Sequence, residues 1–110
     1  GRADEVIISG GKKIHPQAVE SEVLRCPGVT GAAVIGLPDA VWGQVVTVVF
    51  SGNVSADEVL DWCRTHMSSA HRPRRAVQVP ALPLLANGKP DRRALRESAE
   101  KLQTESGPAS

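Results

Sequence analysis

Tyrosine is absent from this chain of 110 residues, and its aromatic complement is one phenylalanine and two tryptophans. Rings on which successive bases could stack are too few for a nucleic-acid surface. A net charge of +1 also removes any general attraction for polyanions or anionic membranes. Cysteine is nearly as scarce. Cys26 and Cys63 stand in neither a Cys-x-x-Cys nor a Cys/His spacing, which argues against a metal centre. They read as two reduced, structural thiols of a cytoplasmic protein. No apolar run is long enough to span a bilayer, and the start has no signal-peptide layout. His15, His66 and His71 share no spacing with one another or with an acid that would make a triad, and no serine sits in a nucleophile elbow. Any chemistry here is therefore expected to be contributed to a pocket built mainly elsewhere.

What is present suits one small globular domain. Apolar residues make up 41% and charged residues 23%, enough for a modest core. The chain begins Gly-Arg and runs at once into a patterned segment, which points to a piece of a longer protein. Glu5 to Ser9 and Lys12 to Ile14 are short β-type runs around Gly10-Gly11, a hairpin signal. Pro16 opens a helix to about Arg25, with Val19, Val23 and Leu24 on one stripe, closed by Pro27-Gly28. Val29 to Gly36 reads as a strand broken by Pro38-Asp39, and Val45 to Phe50 as the most buried strand. Ser55 and Glu58 form a capping box for a helix carrying Val59, Leu60, Cys63 and Met67. Ala76 to Val79 gives a third strand, and a last helix is expected from about Asp91 to Leu102. The predicted fold is α+β: a small mixed or antiparallel sheet of about three strands plus the N-terminal hairpin, flanked by about three helices. The domain is expected over residues 1–103, with 104–110 a disordered tail.

Two stretches invite a functional reading. In "LLANGKPDRR" Asn87-Gly88 is a tight-turn signal and Pro90 pre-sets a helix start, so Lys89 sits at the tip of a constrained loop. The pattern is not a phosphate-cradling GxxxxGK[ST] loop, because Pro83 and Pro90 occupy positions that need Gly and Ser/Thr. In "SGGKK", Ser9, Gly10, Gly11, Lys12 and Lys13, successive glycines let a ligand approach the backbone, although such a stretch by itself is a hairpin turn. Between Arg72 and Arg96 seven Lys/Arg face one acid, Asp91. That suits a phosphate-bearing ligand, but composition alone equally describes a solvated basic face balanced by acids elsewhere. Trp42 reads as a hydrophobic plug between two strands.

Four stretches together are similar to the C-terminal domain of the AMP-forming acyl-CoA synthetase superfamily, which includes luciferases and peptide-synthetase adenylation domains. They are "GRADEVIISGGKKIHPQAVE", "HPQAVESEVLRCPGVTGAAVIGLPDAVWGQ", "LPLLANGKPDR" and the helix that follows, covering Gly1 to about Leu95. The resemblance implies a two-step reaction. A carboxylate attacks the α-phosphate of ATP, releasing pyrophosphate, and a thiol of coenzyme A then displaces AMP from the acyl-adenylate. It implies as partners an N-terminal adenylation domain of the same protein, a carboxylic acid, and coenzyme A or a carrier-protein pantetheine. Mg2+ is expected through the N-terminal domain, with no metal ligands here.

By position, Lys89 resembles the catalytic lysine of adenylation, Asp4 the hinge residue of a domain that swings between half-reactions, and Arg2 a nucleotide contact. Gly11 resembles the small residue lining the pantetheine channel, with Ser9, Gly10, Lys12 and Lys13 around it. The "PDAVWGQ" stretch resembles acyl-CoA ligases more than peptide-synthetase domains. Ala70-His71 replaces the Tyr-Lys pair common before the proline at Pro73, and Leu84-Leu85-Ala86 replaces a Pro/Thr-containing approach to the lysine. Two other readings stand beside this one: an adenylating enzyme that loads a carrier protein, and a non-catalytic module binding a phosphorylated ligand.

Overall fold

The computed structural model describes residues 6–106, with side chains through residue 101. Among the described residues the order is β1 (Ile7–Ser9), β2 (Lys12–Ile14), α1 (Pro16–Val23), β3 (Val29–Asp39), β4 (Gly43–Gly52), α2 (Ala56–His66), β5 (Arg75–Gln78) and α3 (Arg92–Ser106). This is the expected α+β architecture. The sheet is mixed: β1–β2, β3–β4 and β1–β4 are antiparallel, and β5 runs parallel to β4.

β4 organises the molecule. One of its edges pairs with β3 along nearly its whole length, from Val29↔Gly52 to Asp39↔Gly43. Its other edge takes β5 at Thr47 to Phe50 and the β1 hairpin at Ser9↔Gly43. The hairpin is thus part of a five-stranded sheet. The alternation of side chains along β4 divides the core in two. Val46, Val48 and Phe50 face α1 and α2, with Val19, Val23, Val59 and Cys63. Val45 and Val49 face α3, with Leu95 and Ala99. Sheet burial on both faces explains why β4 is a near-continuous apolar run, and each fully buried side chain of this size stabilises by about 1.5–3 kcal/mol.

Three boundaries differ from the sequence reading. Pro38 does not break β3, which continues to Asp39. β3 ends the strand order, and a proline lacking its N–H is tolerated on an edge strand. Leu24 is outside the buried stripe, 47% exposed, because α1 ends at Val23 and Leu24 is its C-cap. α3 runs on to Ser106, past Leu102, where the sequence reading ended it.

Candidate functional site

Lys89 sits at the end of a small hairpin that leads into α3. Leu85 N–H donates to the Lys89 carbonyl at 2.7 Å, Gly88 N–H to Leu85 O at 2.9 Å, and Asp91 N–H to Pro83 O at 3.0 Å, with Leu84 and Pro90 bridged. Asn87 Oδ1 accepts the Lys89 N–H at 3.0 Å. Gly88 has φ +88, a conformation that suits glycine. Asp91 then starts the helix: its side chain accepts from Ala94 N–H at 3.2 Å and its carbonyl from Leu95 N–H at 2.9 Å. Each backbone partner belongs to the hairpin or the helix start. The exposed Lys89 side chain is therefore carried on an ordered backbone, as the "NGKPD" pattern suggests.

The glycine stretch forms the β1–β2 turn, with Gly10 at φ +60 and Gly11 at φ +83. The two glycines do different things. Gly10 N–H donates to Trp42 O at 2.9 Å, and a Cβ on Gly10 would lie 2.9 Å from the Trp42 ring. Gly10 is therefore fixed by packing, whereas a Cβ on Gly11 meets nothing within 4 Å. Gln44 Oε1 accepts from Ile8 N–H at 2.8 Å, fastening β1 to the start of β4. Ser9 is buried, and Lys12 and Lys13 are exposed.

Trp42 is not the buried plug that the sequence suggested. It is 38% exposed, with one part on Gly10 and the Arg74 guanidinium 4.4 Å from its ring centroid. Arg74 is held by Ser69 O at 2.9 Å. The turn presenting Trp42 is tied by Asp39, whose Oδ2 accepts from Trp42 N–H at 2.9 Å and Val41 N–H at 3.0 Å, and whose Oδ1 is 3.2 Å from Arg75. Those hydrogen bonds, Trp42's first, with the Arg75 charge, hold the Asp39 carboxyl below the usual range, against partial desolvation. Arg74 also lines, with Leu60, Arg64, Arg72 and Pro73, a basic cavity of about 120 Å³. The indole platform and this cavity escaped the sequence reading. The run of arginines hinted at the second, but which of them converge depends on the fold.

The seven basic residues do not form one face. Arg75 meets Asp39, Arg92 meets Glu20 at 3.1 Å and Arg93 meets Glu97 at 3.8 Å, while Arg72 and Arg74 turn into the cavity. His66 Nδ1 donates to Trp62 O at 2.9 Å and its ring stacks on Trp62, and His66, His71 and Glu22 line one cavity of about 310 Å³. Among the described residues no group of three or more His, Cys, Asp or Glu could hold a metal. Burial, with Cys26 adding and Arg72 opposing, pushes the Cys63 thiol up to about 11, so it stays protonated near neutral pH. Both cysteines are free and buried.

The chain around Lys89 and the glycine turn are anchored at different points of the β3–β4 ribbon. Leu82, before the lysine hairpin, packs toward Gly31, and Arg92, after it, reaches Val34. The glycine turn is paired at Gly43, beside Asp39. The Val34–Val48 and Asp39–Gly43 rungs are about 16 Å apart along the ribbon. Arg2 and Asp4 lie outside the described residues.

Residues 18–89 match the family model described as AMP-binding enzyme C-terminal domain. An uncharacterised acyl-CoA ligase, YhfT of Bacillus subtilis, is 35% identical over 101 residues, 92% of this chain and 21% of that protein. A 4-chlorobenzoate–CoA ligase of an Arthrobacter species is 43% identical over 100 residues, 88% of this chain and 19% of that protein. The ATP-bound structure of MatB from Rhodopseudomonas palustris superposes with a TM-score of 0.83 at 30% identity, over 93% of this chain and 21% of that one. The chain thus spans about a fifth of the length of the relatives it matches.

Proposed function

The chain belongs to the AMP-binding enzyme C-terminal domain family, and from that premise we propose that it is the mobile C-terminal domain of an ATP-dependent acyl- or aryl-CoA ligase. Lys89 serves adenylation, and the Gly10-Gly11 turn serves thioester formation after the domain rotates. The observation that carries this reading is the placement of Lys89: one exposed ammonium at the tip of a hydrogen-bonded hairpin. Attack of a carboxylate on a phosphate brings two anions together. An ammonium delivered into a site that excludes water offsets that repulsion and the charge developing in the transition state. The ordered hairpin lowers the cost of positioning it.

The acceptor side is supported by the open space at Gly11, where a side chain would project outward into whatever docks there. Ser9, Gly10, Lys12 and Lys13 frame that approach. The exposed indole of Trp42 under Arg74, with the basic cavity that Arg74 lines with Arg64 and Arg72, suits a ligand with a flat ring and phosphates. That favours free coenzyme A, whose nucleotide supplies both, over a carrier-bound pantetheine. The different anchor points of the two turns support rotation, with Asp4 as hinge and Arg2 as nucleotide contact. ATP and the acid would be held chiefly by an upstream adenylation domain, with Mg2+ arriving on the ATP. Among the described residues no helix is long and apolar enough to cross a membrane. The two free thiols support a reducing, cytoplasmic location.

The test is acid-dependent ATP–pyrophosphate exchange by the full-length ligase, with and without Lys89→Ala. The substitution should lower exchange by roughly 10²–10³-fold. Gly11→Leu should spare exchange and block thioester formation. Wild-type exchange by Lys89→Ala contradicts the lysine's role, and turnover with carrier protein but not coenzyme A selects the other acceptor.

A further inference from the structure

Lys89 needs more than an ordered hairpin, because the hairpin must also be aimed. Residues 84–89 are all exposed, so the direction of the tip is set by its two roots, Leu82 packed by Gly31 and the point where the chain re-enters the body. That re-entry is the first turn of α3. Leu95 and Ala99, farther along the helix, are fully buried against the sheet, and apolar contacts, being non-directional, fix the rotation of a helix less sharply than a hydrogen bond does.

Arg92, three residues after Lys89, adds directional contacts to that first turn. Its Nη1 donates to the Val34 carbonyl at 2.6 Å, and its Nη2 is 3.1 Å from Glu20 Oε2. The same Glu20 Oε2 accepts the Val34 N–H at 2.8 Å. Glu20 comes from α1, on the face of the sheet opposite α3. The two side chains therefore meet around the free edge of β3 and use both backbone polar groups of Val34. Side-chain exposure is 19% for Arg92 and 13% for Glu20, so the pair is largely shielded from water and its geometry is well determined. A planar guanidinium can make both bonds at once, which an ammonium on a flexible stem cannot reproduce in the same directions.

We propose that Glu20 and Arg92 form a positioning pair for Lys89, locking the first turn of α3 to the β3 edge so that the lysine hairpin points in one direction. The proposal rests on the assignment of Lys89 to adenylation. The pair touches no substrate and acts only through the lysine.

The test compares Arg92→Lys, Glu20→Gln and Lys89→Ala in the full-length ligase, with both half-reactions measured separately. Glu20→Gln is nearly isosteric and keeps an acceptor for Val34 N–H, and thermal melting of each variant checks folding. Arg92→Lys should lower kcat for adenylation by roughly 10²-fold, the scale of a misplacement of about 1 Å, with KM for ATP and acid little changed. Glu20→Gln should fall between it and the parent. Thioester formation from pre-made acyl-adenylate should stay within about twofold for both, on the same argument that only the lysine's aim has changed. Amide signals of residues 87–89 in the chain itself should shift in Arg92→Lys. Equal losses in the two half-reactions mean a merely structural role and overturn the proposal. So does unchanged adenylation by Arg92→Lys when Lys89→Ala is impaired. If Lys89→Ala itself exchanges normally, the adenylation assignment falls, and the pair's role falls with it.

Discussion

Gly10 and Gly11 are neighbours with the same sign of φ, yet only Gly10 is closed in by a ring. An alanine at either must adopt the left-handed region, which costs about 1–2 kcal/mol. Gly10→Ala must also displace Trp42 and should lower the urea midpoint more than Gly11→Ala does, and equal midpoints would contradict the packing role. Asp39 gives the second prediction at this scale. Its folded carboxyl is held below its unfolded value, so its contribution to stability is complete above the unfolded range, near pH 4. That contribution is lost as pH falls through the depressed folded value. Stability should therefore fall more steeply on acidification in the parent than in Asp39→Asn, measured as urea midpoints between about pH 5 and 3. Parallel curves would sink the assignment.

At the scale of elements, α2 was the most legible. Ser55 Oγ accepts from Glu58 N–H at 3.1 Å, and Glu58 Oε1 accepts from Ser55 N–H at 3.0 Å, the reciprocal box that the spacing announces. Ser55→Ala should cost about 1 kcal/mol, read as a lower midpoint. No change would mean the cap is redundant. β4 was legible too, because an apolar run flanked by helices has to be buried on both faces. The persistence of β3 through Pro38 was not, since tolerance of proline depends on which strand ends up at the edge, a property of the sheet and not of the segment. Trp42 was misread for a similar reason. Its partners, Gly10 and Arg74, lie 32 residues before and after it in sequence.

At the scale of the molecule, family motifs located the lysine and glycine turns, but only the fold sorts the charges around them. A single basic run divides into Arg75 and Arg92, which meet acids on other elements, Arg93, which meets Glu97 on its own helix, and Arg72 and Arg74, which line one cavity. The chain after Lys89 is anchored at Val34, in the middle of β3, and the glycine turn at Gly43, at one end of the ribbon, which fits two turns that serve different docking orientations. We propose that separate faces serve the separate half-reactions. The most direct test of that division is the single-turnover rate of thioester formation from pre-made acyl-adenylate and coenzyme A by the full-length Lys89→Ala ligase. The rate should be close to that of the parent, although adenylation is lost. A loss as deep as that in adenylation would mean that Lys89 serves both steps and would contradict that division.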